Sequence, residues 1–355
     1  MAKISMNDEL MEQAVYGGAI LGGGGGGWIK DGLQKGKLAL EIGEVSLTTI
    51  DELDETDHVA CVALVGAPAA KNQYVNAKQL YSSVNLLQRN YHSSISALMT
   101  NENGASTTVN GWIQAALTGL SVLDAPCNGR AHPTGSMGAL NLSEVEDYVS
   151  YQAAAGGKAE YEISGYVKGS LEYTSNVIRQ MSVEAGGMVG VARNPVEVDY
   201  IQKHAAVGGI SQAISVGEVF LKEENPLNKV EAVATVLQGR VIKVGKVHHY
   251  SLVTKGGFDV GELYVDDLHL TFWNEYMTAE ENGERKGTFP DLLMTFDAET
   301  GIPLVSAEIQ DGAKIAVISV PKEQLLLSST MSNNVLLEKI QSVINKRVVF
   351  DEVKG

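Results

Sequence analysis

The chain changes texture at Asn225-Pro226, and this limits what it can fold into more than any other feature. Before that point, segments with apolar residues at helical spacing alternate with short strand-like runs, the pattern of a sheet with helices on its faces. After it, helical spacing nearly vanishes. Short strands are predicted at Ala232 to Leu237, Val241 to Val244, Ser251 to Val253, Leu263 to Val265, Leu268 to Phe272, Leu292 to Phe296 and Lys314 to Val320. Turn signals at Gly256-Gly257, Glu281-Asn-Gly283, Thr300-Gly301 and Asp311-Gly312 separate many of them, as a β barrel or sandwich requires. At 355 residues the chain also exceeds what one core usually holds. The expectation is an α+β or α/β multidomain protein. It has an N-terminal α/β sheet domain over 1–224 and a β-rich, barrel- or sandwich-like domain over 225–324, with 325–355 packing back on the first.

Within the first part the spacing predicts helices over 7–20, from Trp28 toward Leu40, and from Ala77 to Met99. Further helices are predicted from Thr107 to Leu117, Tyr173 to Glu184 and His204 to Leu221, and a last one from Asn333 to Ile344. Strands are expected at Val45 to Leu47, His58 to Val65, Leu120 to Leu123, Tyr161 to Val167 and Met188 to Ala192. No run of about 18 apolar residues occurs, so no membrane span is expected. A net charge of −16 argues against nucleic acid, whose binding is dominated by Lys and Arg on phosphates. Met-Ala-Lys and the polar residues after it lack the apolar stretch of a signal peptide, and with only Cys61 and Cys127 no disulfide framework is built. A cytoplasmic protein is expected. Cys61, inside the run Val59 to Val65, reads as a packed core thiol.

Chemistry is densest in Asp124-Ala-Pro-Cys-Asn-Gly-Arg-Ala-His132-Pro133, directly after the run Leu120 to Leu123. Functional residues collect just past the carboxyl ends of strands in open α/β sheets. Asp124 or Glu275 is expected to act as base, Arg130 to stabilise charge, and Cys127 to be an accessible thiol serving as nucleophile or metal ligand. The six glycines Gly22 to Gly27 do not follow a strand and lack the Lys-Ser/Thr of a P-loop, so they are read as a loop lying against a small substrate or against another domain. Gly24, Gly25 and Gly26, with Asn110, His132, Asn274 and Asp291, make up the expected substrate-binding set. Asn101-Glu102-Asn103-Gly104 reads as a cap or turn. Asp124, Cys127, His132 and His204 are the candidate zinc ligands, although no C-x-x-C or H-E-x-x-H is present. His248 and His249, adjacent on a strand, are expected to point to opposite faces. The Gly66-Ala-Pro68 turn is expected at the same sheet edge as Asp124.

Several stretches together resemble the bacterial S-methyl thiohydantoin desulfurase family. They are Ala19-Ile-Leu-Gly-Gly-Gly-Gly-Gly-Gly27, Val65-Gly-Ala-Pro68, Val122-Leu-Asp-Ala-Pro-Cys-Asn-Gly-Arg-Ala-His-Pro133, Gly209-Ile-Ser-Gln-Ala-Ile214, Phe272-Trp-Asn-Glu275, Pro290-Asp-Leu292 and Asp297-Ala-Glu-Thr-Gly301. The resemblance implies a hydrolase acting on a hydantoin-like or thiohydantoin-like five-membered ring, with water adding to a C=N carbon and a thiol leaving. It also implies a small cyclic ureide substrate and an association with hydantoinase A-type proteins; a homo-oligomer is expected. Pro126, His132 and Thr134 depart from the family pattern of Asp, an aromatic residue and Glu, and Lys71-Asn-Gln-Tyr74 lacks its Glu-Lys pair. Those departures favour the alternative, a non-catalytic partner subunit of a hydantoinase-type complex.

Overall fold

The computed structural model describes residues 3–66, 70–255 and 257–349. Ala67, Pro68 and Gly256, read above as turn residues, lie outside that set. The first of two eight-stranded sheets holds β1 (Ile4–Ser5), β2 (Ser46–Thr48), β3 (His58–Gly66), β4 (Ile95–Thr100), β5 (Ser121–Leu123), β6 (Ser150–Gly156), β7 (Ile163–Gly169) and β8 (Met188–Glu197). Their order is β1-β2-β5-β4-β3-β8-β6-β7. Strands β2, β5, β4 and β3 are parallel, while β8, β6 and β7 return antiparallel. The carboxyl ends of β3, β4 and β5 therefore share one edge. Parallel neighbours need crossovers, supplied by α3 (Ala77–Asn90) and α4 (Trp112–Thr118).

Helix α3 starts where Asn76 and Gln79 cap each other reciprocally, and it buries Val84 and Leu87. It stops at Asn90, not at Met99 as the spacing predicted, and Ile95 to Thr100 is a strand. Ile95 and Leu98 continue the helical spacing of Leu87 by coincidence. Buried Ala97 and Met99 between them mark a parallel strand covered on both faces.

The second sheet, antiparallel throughout, holds β9 (Arg240–Lys255), β10 (Phe258–Val265), β11 (Leu268–Trp273), β12 (Glu275–Glu281), β13 (Glu284–Thr288), β14 (Leu292–Asp297), β15 (Pro303–Leu304) and β16 (Lys314–Val320). The order is β13-β12-β11-β10-β9-β16-β14-β15. The two short runs predicted near 241 and 251 are one strand, β9. Its first part pairs with β16 and its second with β10. The sheet thus folds over a core of Val247, Leu263, Leu270, Phe272, Leu293 and Val317. A register shift opposite β10 and a positive φ of 53° at His249 bring the His248 and His249 rings within 4.9 Å, against the expected opposite faces.

Ala232 to Leu237 is not a strand. Most of it belongs to α8 (Pro226–Val236), capped by Asn225. Val230, Val233, Ala234 and Leu237 follow helical spacing and bury against β14 and β16. The same core takes Ile20 and Leu21 from α1 (Asp8–Leu21) and Ala213, Val216 and Phe220 from α7 (Gly209–Lys222). Helices of the first part therefore pack directly on the second sheet. Helices α1 and α7 touch at glycines: a Cβ at Gly17 would lie 1.7 Å from the Ala213 carbonyl oxygen, and one at Gly217 1.9 Å from that of Gln13. This contact fixes the end of α1, and the glycine loop after it, at the junction of the two parts. The segment after β16 crosses back to the first part, where the Ser328 amide donates to Asn128 Oδ1 at 3.1 Å and Thr330 to the Met137 carbonyl at 2.6 Å. Helix α9 (Asn334–Ile344) instead covers Trp273, Met277 and Phe289 of the β-rich part. No helix among the described residues is long and apolar enough to cross a membrane.

Candidate functional site

The six-glycine loop threads a slot in which each step meets a different partner. A Cβ at Gly23 would lie 2.5 Å from Arg130 Nη2, and one at Gly24 2.8 Å from the Tyr276 ring. At Gly25 it would lie 1.9 Å from Glu275 Oε1, at Gly26 2.5 Å from the Gly104 Cα, and at Gly27 2.7 Å from the Ser106 Cβ. Four of these glycines also have positive φ, Gly23, Gly24, Gly26 and Gly27. The loop is held rather than loose. The Tyr276 amide donates to the Gly23 carbonyl and the Ser306 amide to that of Gly24, while the Ser106 amide donates to that of Gly26.

Arg130 and Glu102 reach this slot from loops past the carboxyl ends of β5 and β4. Arg130 is fully buried. Its Nη1 donates to the carbonyls of Pro290, at 3.0 Å, and Asp291, and the guanidinium lies 4.6 Å from the Phe289 ring centre. Among the described residues its Nη2 has no hydrogen-bond partner, and neither has Glu275 Oε2, also buried. Glu102 Oε2 lies 3.2 Å from His132 Nε2 and accepts the His132 backbone N–H at 3.3 Å. The nitrogens of the His132 ring are buried, with the Asn101 and Thr134 backbone groups acting on the ring and no well-aligned hydrogen bond among the described residues.

Burial dominates the electrostatics, because a charge taken out of water is disfavoured unless a partner restores it. It pushes Glu102 up to about 8 and Glu275 well above the usual carboxylate range, the latter helped by the nearby Glu102 and opposed by Arg130. It pulls His132 down to about 4, and Arg130 down to about 10 against the pull of Glu275, Asp291 and Glu102. Burial therefore favours the protonated form of both carboxyls and the neutral form of the imidazole, beside one guanidinium. Such a set can donate protons, accept one, and stabilise a single negative charge.

The expected residues divide sharply. Arg130, Glu275, His132 and the loop Gly24 to Gly26 come together. Asp124 is placed away from them, its carboxylate taken up by the first turn of α7: Oδ1 accepts the Ile210 and Ser211 amides at 2.7 and 3.0 Å, and Oδ2 accepts the Ser211 hydroxyl at 2.5 Å. Cys127 is not an accessible thiol. It is 1% exposed in an apolar cluster, 3.3 Å from Met99 Sδ, and the neighbouring Cys61 thiol together with burial pushes its own thiol up. His204 binds the Ser329 hydroxyl at 2.8 Å and stacks on Tyr200. The zinc set is thus dispersed, and among the described residues no three His, Cys, Asp or Glu side chains are grouped to hold a metal.

Asn110, Asn274 and Asp291 act behind the site. Asn110 donates to Asn101 Oδ1 at 3.0 Å. Asn274, with φ 55°, accepts the Asp259 amide at 2.9 Å and starts β12 so that Glu275 points inward. Asp291 accepts the Thr288 and Lys322 amides, which fixes the carbonyl that Arg130 holds. Glu102 was missed as a functional residue. It sits two residues past β4, as the Asp124 loop sits past β5, and the strand-end rule reaches it once Ile95 to Thr100 is seen as a strand.

A crystal structure of a protein from Chromobacterium violaceum is similar with a TM-score of 0.72 and 19% identity over 96% of each chain, a likeness of fold. No curated protein matches the chain. Residues 9–159 match the S-Me-THD-like N-terminal domain and residues 170–333 the S-Me-THD-like C-terminal domain. The second match begins before β8, which belongs to the first sheet, so the sequence boundary cuts through a single sheet. With both domains matched over most of its length, the chain belongs to the S-Me-THD-like family.

Proposed function

We propose that the chain is a hydrolase of a thiohydantoin-like five-membered ring, with a small cyclic ureide as its substrate class and the Arg130, Glu275, Glu102 and His132 cluster as its site. The observation that supports this most is the pair of unfilled buried valences, Arg130 Nη2 and Glu275 Oε2, both in residues packed against the glycine loop. Buried polar atoms are normally satisfied, and unsatisfied ones call for a partner. A ureide edge offers one: its carbonyl accepts from Arg130 while a ring nitrogen meets the Glu275 carboxyl.

In the reaction, neutral His132 takes a proton from water as its oxygen bonds to the C=N carbon bearing the S-methyl group. Glu275, held protonated, donates to the ring nitrogen that gains the electron pair, and Arg130 stabilises the negative charge on the ring oxygen. Collapse returns the proton of the added hydroxyl to Glu275, forms the new carbonyl, breaks the C–S bond, and releases methanethiol with the proton held by His132. The ring leaves as the hydantoin. Entry requires the Gly26–Gly104 backbone contact to part. On the far side of the loop a groove of about 620 Å³ reaches Gly27 and Ala105.

The test is release of methanethiol from an S-methyl thiohydantoin by the purified full-length chain. Glu275→Gln should lower kcat by about a hundredfold or more, the scale of a lost general acid. No release by the wild-type chain would reject this reading and leave the non-catalytic subunit of a hydantoinase-type complex.

A further inference from the structure

Helix α2 (Ile29–Ile42) carries a lysine that does not behave like a surface lysine. Gly32 and Gly36 let the helix lie flat on its neighbours; a Cβ at Gly32 would be 2.0 Å from the Ala105 carbonyl oxygen, and one at Gly36 2.5 Å from Met11 Cγ. That approach carries Lys35 to Ser106, where Nζ and Oγ are 2.6 Å apart. Ser106 is buried, at 6% exposure. Lysine heads normally reach for water or a carboxylate. Lys35 forms no ion pair among the described residues, although Asp31 precedes it by one turn. Burial pulls it down to about 8, opposed by Asp31. A desolvated lysine next to a hydroxyl is the arrangement that activates serine without histidine.

The pair lies beside the groove noted above. Neither residue lines it directly; the chain neighbour Ala105 and the packing neighbour Gly27 do, with apolar walls from Tyr16, Trp28, Met294, Pro303 and Leu304 and the carboxylates of Asp31 and Glu308 at its rim. The first turn of α2, whose cap residue Trp28 supplies no side-chain hydrogen bond, lines it as well and leaves backbone amides beside it for a developing oxyanion. We propose that Ser106 and Lys35 are a nucleophile–base pair acting on the carbonyl carbon of an ester or amide whose apolar part occupies this groove. Neutral Lys35 takes the Ser106 hydroxyl proton as Oγ bonds to the carbonyl carbon. Collapse breaks the bond to the alcohol or amine, which leaves with that proton. Water, deprotonated by Lys35 in turn, releases the acid and restores the hydroxyl. Its chemistry uses neither Arg130 nor Glu275, so it does not depend on the reading given for that cluster, although both sites lie against the glycine loop.

The experiment treats the full-length chain with an alkyl fluorophosphonate at mildly alkaline pH and maps the adduct by peptide mass spectrometry. An adduct on Ser106, absent in Ser106→Ala, is expected. Lys35→Arg keeps the charge and a donor to Ser106 but cannot give up its proton, so its labelling should slow at least about tenfold with the fold retained. No Ser106 adduct in the wild-type chain, or labelling of Lys35→Arg at the wild-type rate, overturns the proposal. The first of these outcomes needs no variant to fold.

Discussion

Arg130 serves two ends at once, and this decides which substitutions are informative. Its Nη1 ties two carbonyls of the second part while its Nη2 is left open. Arg130→Lys loses the fork and the stacking on Phe289 and should cost about 2–4 kcal/mol of stability together with turnover, so it cannot separate structure from chemistry. Glu275→Gln can, because a protonated carboxyl and an amide are nearly isosteric and equally neutral. Its melting temperature should stay close to wild type while turnover falls. The pH dependence of stability belongs to this scale too. Burial holds Glu102 up at about 8, above the ordinary 4.5, so the folded chain keeps a proton that the unfolded chain has lost. The stability this confers is complete below 4.5 and is lost as pH rises through about 8. His132 is held down at about 4 from 6.5, so its contribution is present above 6.5 and is lost as pH falls through about 4. Melting temperatures should therefore fall on both sides of a mildly acidic maximum, and Glu102→Gln should lessen the alkaline fall, part of which belongs to Glu275, while leaving the acid side unchanged. A wild-type alkaline limb that persists unchanged in Glu102→Gln would show that the Glu102 proton is not retained on folding.

At the scale of elements, the glycine loop makes a sharper claim than its composition. Gly26 and Gly119 both have positive φ, 77° and 74°, but a Cβ on Gly26 meets the Gly104 Cα at 2.5 Å while one on Gly119 meets nothing within 4 Å. Gly119→Ala should cost about 1–2 kcal/mol from backbone strain alone. Gly26→Ala should cost clearly more, because backbone faces backbone and neither can rotate away. Equal losses in thermal or urea unfolding would mean the loop gives way easily. The glycine run was legible in the sequence as a loop lying against another part of the chain, and Arg130, His132 and Glu275 as residues at element ends. What was not visible was tertiary. Asp124 looks the same in sequence whether it faces a substrate or caps α7, and only the arrival of Gly209 to Ser211 at β5 distinguishes the two. Cys127 sits among polar neighbours in sequence and among Met99, Cys61 and Leu123 in space. Helix α8 was read as a strand because its β-branched residues outweighed a spacing that only the facing β14 and β16 make decisive.

At the scale of the molecule, the change of texture at Asn225 falls between the two sheets but does not mark two independent bodies. Ile20, Leu21, Ala213, Val216 and Phe220 from the first part share one core with Leu292, Phe296, Ile318 and Val320 from the second. Arg130 crosses the same junction to the carbonyls of 290 and 291, Glu275 crosses it to Gly25, and Ser328 returns across it to Asn128. The candidate site exists only where these crossings meet. Small-molecule sites favour such junctions because each side can supply rigid groups that the other leaves unsatisfied. Unfolding should accordingly be one cooperative transition, with calorimetric and van't Hoff enthalpies in agreement, although chains of this length often melt domain by domain. A fragment covering 1–224 would expose the apolar faces of α1 and α7 and should aggregate alone but be recovered when 225–355 is co-expressed. Two resolved transitions, or a soluble and well-folded 1–224 fragment, would show that the shared core is a contact between finished domains. The buried cluster would then need another source of rigidity.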